Sequence, residues 1–421
     1  MSSHAPPEPD AQETPLRVEA ACVADVVGSH APGALLIDRS GPDPVVLARG
    51  APGTVRSHPR AAGAETLRLE SSTLIPALVN AHAHLDLTHI GPRPFDRDAG
   101  FVPWVDMIRA ERVFEDAALR GSVREGLRMS RAGGVACVGD IAGVGSTAPG
   151  EELVRSGMRG VSFVEFFGLG ARQATAIGAM RDVVSRVDGT ERVRFGLQPH
   201  APYSAGLGVY REAAALSGGY AFATHLAETP EEAEFVRTGG GPQRELLERL
   251  GVWDGTILDD FDSPASPVAH LRGVLSDRVL AVHLNGVSDD DLALLASSGT
   301  RVAYCPRCSD YFGRNEDFGP HRYREMLEMG IRVALGTDSI INLPDGTTRI
   351  GTLDEMAFLH ARDGTDPTTL LAMATTHGAA ALGFQESLFT LADGPVAGVL
   401  AVPGTSLADA IARAGEVAWI A

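Results

Sequence analysis

The chain has 421 residues, 44% of them hydrophobic, and a formal net charge of −18. That is ample apolar material for a large core, and so acidic a surface repels nucleic acid and anionic membrane, so neither is expected as the main partner. Cys22, Cys137, Cys305 and Cys308 are too sparse for a disulfide scaffold, and all 36 basic residues are arginine, which excludes Schiff-base chemistry, a phosphate-loop lysine and a carboxylated lysine bridging two metals.

In chain order, the start MSSHAPPEPDAQETP is polar and proline-rich. Residues 1–15 are expected to form a disordered tail of a cytoplasmic protein, and no run reaches the roughly 20 apolar residues of a membrane helix. Residues 16–72 read as short alternating strands broken by Gly and Pro, as in ALLIDRSGPDPVVLARG and ETLRLESSTL. Eight apolar runs then recur, each ending in polar or glycine-containing residues: LIPALVNAHAH (74–84), VACVGDIAG (135–143), GVSFVEFFG (160–168), VRFGLQPHAPYS (193–204), YAFATHLAE (220–228), RVLAVHLNG (278–286), RVAYCPRC (301–308) and RVALGTDS (332–339). Helical patterns separate them, among them 104–133, a glycine-interrupted stretch over 230–251, and 288–299 with Ser288 as N-cap and Gly299 as stop.

Continuous apolar strands alternating with helices predict an α/β fold, a parallel (β/α)₈ TIM barrel over 73–384. The tail 385–421 has the alternating texture of 16–72, so both ends are expected to build one small β-sandwich domain. Polar residues gather at the strand C-terminal ends, where such a barrel places its active site.

His82 and His84, two apart on the first barrel strand, project to one face. Alone, the pair reads equally well as two polar strand-end residues or as two ligands for a divalent ion. Beside it stand His225 with Glu228 after the fifth strand, His283 after the sixth and Asp338 after the eighth. So many buried polar groups on one rim would be costly for packing alone. Thr229, Pro230 and Glu232 look like the N-cap, N1 and N3 of a helix, which would fix Glu228 at a rigid strand–helix junction.

The segments PALVNAHAHLD, QPHAPYS, THLAETPEEAEF, SPVAHL, VHLNGVSDDDLALLASSGTRVAYCPR and VALGTDS resemble the amidohydrolase superfamily, in its branch of mononuclear deaminases acting on purine-like or triazine-like rings. The resemblance runs from about residue 70 to 385 and is strong. It implies that His82, His84, His225 and Asp338 hold one Zn²⁺, or Fe²⁺. It implies that Glu228 shuttles protons, that His283 holds the attacking hydroxide, and that Asp338 can also take the water's proton. The expected reaction is attack of water on an amino-bearing ring carbon, releasing ammonia from a small amino-heterocycle. A homodimer is compatible with this reading.

Substrate contacts are expected from His200, Trp104, Arg109 and Ser309. HAHLDLTHIG followed by FVPWVDMIRAER most resembles the aminofutalosine deaminases of the alternative menaquinone route, whose adenine nucleoside bears an aromatic carboxylate; Arg109, Arg112 or Arg307 would suit that group by charge. S-adenosylhomocysteine, methylthioadenosine, guanine and triazine hydrolases are the alternatives, with a catalytically silent scaffold as the reading from another class. Asp86 is expected to be solvated at the surface. CPRC departs from the family, where Ser and then His or Asn usually follow the arginine; Cys308 and Ser309 stand there. Cys305 and Cys308 are expected to be free thiols, since a lone CxxC lacks a second pair for structural zinc.

Overall fold

The structure, a computed structural model, describes residues 14–218, 222–262 and 264–421. The expected tail over 1–15 lies, through residue 13, outside the described residues. The chain forms two compact units, one from its N-terminal stretch to Ala77 together with Ser387–Ala421, the other from Leu78–Glu386.

The N-terminal stretch lays down β1 (Leu16–Asp25), β2 (Gly28–His30), β3 (Gly33–Asp38), β4 (Val45–Gly50) and β5 (Glu65–Pro76). Period-two patterning explains β1: Leu16, Val18 and Ala20 are buried, while Arg17 and Glu19 share the other face and pair at 3.3 Å. The apolar run LIPALV is divided. Leu74–Pro76 close β5, whereas Leu78 and Val79 open the first barrel strand. Sequence pattern alone misses this break, because both sides of it are apolar and buried.

The second unit holds β6 (Leu78–Ala83), β7 (Val135–Ala142), β8 (Arg159–Phe166) and β9 (Val193–Pro199) in one parallel sheet. A second parallel sheet contains β10 (Phe222–Leu226), β11 (Val279–His283), β12 (Arg301–Tyr304) and β13 (Val333–Leu335). Every residue of β6, β7, β8, β10 and β11 is buried, as strands covered on both faces must be. Hydrogen bonds join the sheets at both seams. His225 N donates to His200 O at 2.9 Å, and Thr337 N and Asp338 N donate to His82 O at 3.0 and 3.1 Å. The result is a TIM-barrel-like α/β arrangement, with β6 and β13 further locked by Asn80 Nδ2 donating to Thr337 Oγ1 at 2.7 Å.

The helices follow their signals with one correction. The helical pattern over 104–133 is two helices, Phe101–Glu111 and Asp116–Ala132. Arg112 adopts extended backbone, and the Glu115 side chain caps the second helix by accepting from Ala118 N. Ser288 and Asp291 form a reciprocal capping box on Asp289–Ser298, which ends at Gly299 with φ 71°.

The chain ends with β14 (Gly394–Pro395), β15 (Val399–Pro403) and β16 (Ala418–Trp419). These complete a sheet in the order β14-β4-β3-β1-β5-β15-β16, with β2 paired to β1. Val18, Leu35, Leu74 and Val399 share its buried core. No helix among the described residues is long and apolar enough to cross a membrane.

Candidate metal centre and active site

Five histidines converge at the C-terminal ends of β6, β9, β10 and β11. The ring of His82 lies 5.0 Å from His84, 5.1 Å from His225 and 5.7 Å from His283, and His200 lies 4.9 Å from His225. The ligand atoms of His82, His84 and His225 lie within 4.8 Å of one another, as do those of His82, His283 and Asp338. The alternation of β6 delivers the first pair and separate strand ends deliver the rest. Buried ring nitrogens usually find hydrogen bonds. Yet both nitrogens of His82, and Nδ1 of His84 and of His283, have no hydrogen-bond partner among the described residues. Burial keeps His82, His225 and His283 neutral by pushing their pKa down, His283 to about 3. His84 differs: against burial, the Asp338 carboxylate raises it to about 8, a proton that a bound cation would displace. Orphaned imidazoles beside an ionised carboxylate suit a borderline divalent cation.

Asp338 supplies that carboxylate. Its Oδ1 lies 3.2 Å from His84 Nε2 and 3.4 Å from His82 Nε2. Its Oδ2 is held from behind by Asn342 Nδ2 at 2.6 Å and Cys308 Sγ at 2.9 Å. Burial works against its charge, but the two imidazoles outweigh it and hold the carboxyl well below the usual range. The backbone here is strained: Asp338 (φ 57°), His283 (φ 78°), Leu284 (φ 54°) and Ala227 (φ 50°) all sit in the left-handed region that non-glycine residues avoid. Such strain persists where the surroundings over-determine it, typically at functional sites.

Glu228 stands two residues past β10. Thr229 caps the following helix by accepting from Glu232 N at 3.0 Å. Glu232 reaches back to accept from Ala227 N at 3.0 Å and Glu228 N at 2.7 Å. Asn285 Nδ2 donates to Glu228 O at 3.1 Å. The backbone of Glu228 is thus fixed from two sides, and its Oε1 lies 3.7 Å from His283 Nε2. Burial pushes the Glu228 carboxyl up to about 8, against the opposing charge of Arg314. It is therefore a protonated acid at neutral pH beside a neutral imidazole.

An outer ring completes the site. His200 hydrogen-bonds Ser204 Oγ through Nδ1 at 2.7 Å and faces Glu165 with Nε2 at 3.9 Å. Gln198 Nε2 lies 3.3 Å from His225 Nδ1, and His321 Nε2 contacts His283 O at 2.8 Å. Glu165, His200 and His225 form a further close group. Asp86 is a correction: it is buried, not solvated, and accepts from Arg112 Nη1 at 2.7 Å. Ser309 donates to Asn285 Oδ1 at 2.7 Å, one link behind Glu228. Trp104 packs edge-on against Phe312 at 5.0 Å and donates Nε1 to Tyr311 at 3.2 Å. Arg109 is exposed on Phe101–Glu111 and the structure gives it no contact with the histidines. All four cysteines are free and buried.

Glu165 carried a readable signal, a carboxylate inside the apolar run GVSFVEFF. His321 carried none, because it acts through His283, 38 residues away in sequence. Asn342 lies only four residues past Asp338, but nothing in an ordinary asparagine there marks it as the partner of that carboxylate. A cavity of about 580 Å³ bordered by Asp277, Arg301, Arg332 and Glu386 lies at the N-terminal ends of β12 and β13, the end of a barrel that serves stability.

The profile of the amidohydrolase family matches residues 73–409. An aminodeoxyfutalosine deaminase of Deinococcus radiodurans is 28% identical over 382 residues, covering 85% of this chain and 82% of the relative. A 5-methylthioadenosine/S-adenosylhomocysteine deaminase of Teredinibacter turnerae is 27% identical over 369 residues, covering 80% and 73%. In three dimensions the chain is similar to a zinc-bound adenosine deaminase of Xanthomonas campestris, with a TM-score of 0.70 and 20% identity over 92% of this chain and 84% of that one.

Proposed function

The chain belongs to the amidohydrolase family, and on that premise we propose that it is a metal-dependent hydrolytic deaminase of an adenine-type nucleoside. The observation that carries this reading is the convergence of His82, His84, His225 and Asp338 beside a buried, protonated Glu228. Those four side chains would hold one divalent ion. Zinc is favoured, since three imidazoles and a carboxylate suit it and a zinc-bound deaminase shares the fold; ferrous iron is second. Bound there, such an ion supplies a water acidified toward neutral pH and charge to polarise the attacked centre.

The residues divide the remaining work. His283, kept neutral by burial, holds the attacking water by a hydrogen bond. Glu228 gives its proton to the ring nitrogen next to the amino-bearing carbon as the water oxygen bonds to that carbon. Asp338 takes the proton that the water loses. When the carbon–nitrogen bond breaks, the Glu228 carboxylate passes the proton of the newly added hydroxyl to the amine, which leaves as ammonia while the ring keeps the oxygen as a carbonyl; the proton on Asp338 then returns Glu228 to its acid form. His200 and Glu165, 3.9 Å apart, would meet the ring edge or the leaving group. The relatives named above act on nucleosides that share adenine and differ at the 5′ substituent, which supports adenine as the reacting ring.

Free thiols at all four cysteines support a reducing, cytoplasmic setting. The sheet built by both chain ends is read as a small β-sandwich folded over the core of Val18, Leu35, Leu74 and Val399. A panel of 6-amino purine nucleosides, followed by ammonia release and ultraviolet shift, tests the function. Turnover of at least one is the predicted result, and turnover of no amino-heterocycle would end the deaminase reading.

A further inference from the structure

Arg314 opens the short helix Arg314–Phe318 in the connection after β12. That connection leaves the barrel at the C-terminal end of a strand, and its earlier residues Cys308 and Ser309 already touch Asp338 and Asn285. Arg314 is only 5% exposed. Its Nη1 donates to Asp317 Oδ2 at 2.9 Å. Its Nε and Nη2 are buried with no hydrogen-bond partner among the described residues. Among the described residues no other arginine leaves two buried atoms unpaired; Arg17, Arg49, Arg307 and Arg362 leave one each.

The rings of Phe312 and Phe101 flank the guanidinium at 5.0 and 5.9 Å. Aromatic faces engage the flat face of the cation, not its in-plane N–H bonds, so they do not satisfy Nε and Nη2. A buried cation with unpaired donors is destabilising unless a ligand completes it. Nε and Nη2 together are the side of the fork that meets both oxygens of a carboxylate in parallel. The charge of Arg314 reaches Glu228 and His283, which ties it to the reacting pocket. The arginines suggested by sequence are worse placed: Arg112 is committed to Asp86 at 2.7 Å, Arg307 to Glu355 at 2.6 Å, and Arg109 is exposed.

We propose that the Nε–Nη2 edge of Arg314 seats a carboxylate carried by the substrate on an apolar or aromatic arm, which packs against Phe101, Trp104 and Phe312. The seat makes Arg314 a specificity-determining residue, and the assignment rests on the deaminase reading above.

Metal-loaded wild type, R314M and R314Q are compared on adenosine, which is neutral, and on S-adenosylhomocysteine and aminodeoxyfutalosine, which carry a carboxylate. The ratio of kcat/KM for acidic over neutral nucleoside is predicted to fall roughly 30-fold or more in both variants, mainly through KM. An unchanged ratio, or an equal loss on both kinds of nucleoside, would overturn the assignment. If the wild type turns over no nucleoside, the deaminase reading fails by itself. The seat is then decided by benzoate binding to the metal-loaded proteins, measured by calorimetry. Binding at least about 10-fold weaker in the variants upholds it, and equal binding or none overturns it.

Discussion

Among the described residues, the terminal sheet leaves few buried polar atoms unpaired, such as the Nε of Arg17 and of Arg49, whereas the barrel rim leaves a cluster of them. In the sheet, buried Asp25 has both oxygens engaged: Oδ1 accepts from Val26 N at 2.6 Å, and Oδ2 from Leu391 N at 2.8 Å and Arg49 Nη1 at 3.0 Å. At the rim, imidazole nitrogens and two nitrogens of Arg314 lack partners among the described residues, and Asp338 and His283 hold strained backbone. A fold built only for stability would pair the rim groups as it pairs Asp25. Unpaired, strained polarity concentrated at four strand ends marks the part of the molecule shaped for ligands and not for packing.

The contrast can be broken or sharpened by substitution. The largest effect is expected at the rim. Glu228→Gln keeps the shape of the side chain but cannot carry a proton, so turnover should drop about 1000-fold while the metal stays bound. Wild-type turnover would mean the proton travels elsewhere. Because burial raises the Glu228 carboxyl to about 8, the donating form persists at neutral pH and is lost as pH rises through that value. The kcat/KM profile should therefore fall on the alkaline side near pH 8, and any residual activity of the glutamine variant should lack that limb.

In the sheet the expected effect is on stability alone. Leu35 is fully buried in the terminal core, and Leu35→Ala should cost about 3 kcal/mol in a urea melt while the metal content of the folded fraction stays unchanged. Loss of metal in that variant would show that the two regions are not energetically separate. The smallest effect is at a cap. Ser288→Ala breaks the capping box of Asp289–Ser298 and should cost about 1 kcal/mol, with no change in kcat.

The same contrast decides what could be read in the sequence. The barrel strands were legible because burial on both faces leaves unbroken apolar runs, and each run stops where polar chemistry begins. His82, His84, His225, His283 and Asp338 stood at those stops, so their convergence followed from topology. Features that depend on pairing were hidden. Asp86 looks like a surface acid until Arg112, on a different element, turns toward it where the helix breaks. Arg314 looks like one surface arginine among many until its neighbours prove to be phenyl rings. Trp104, expected over the substrate or packed on a helix face, packs on Phe312, a partner too far along the chain to be read from the sequence.

The central claim is tested most directly by metal stoichiometry, measured by mass spectrometry on protein loaded with zinc and then desalted. The account predicts about one equivalent per chain in the wild type and nearly none in folded H82A, H225A and D338A. A wild type that retains no metal yet deaminates, or a D338A variant that keeps a full equivalent, would contradict it.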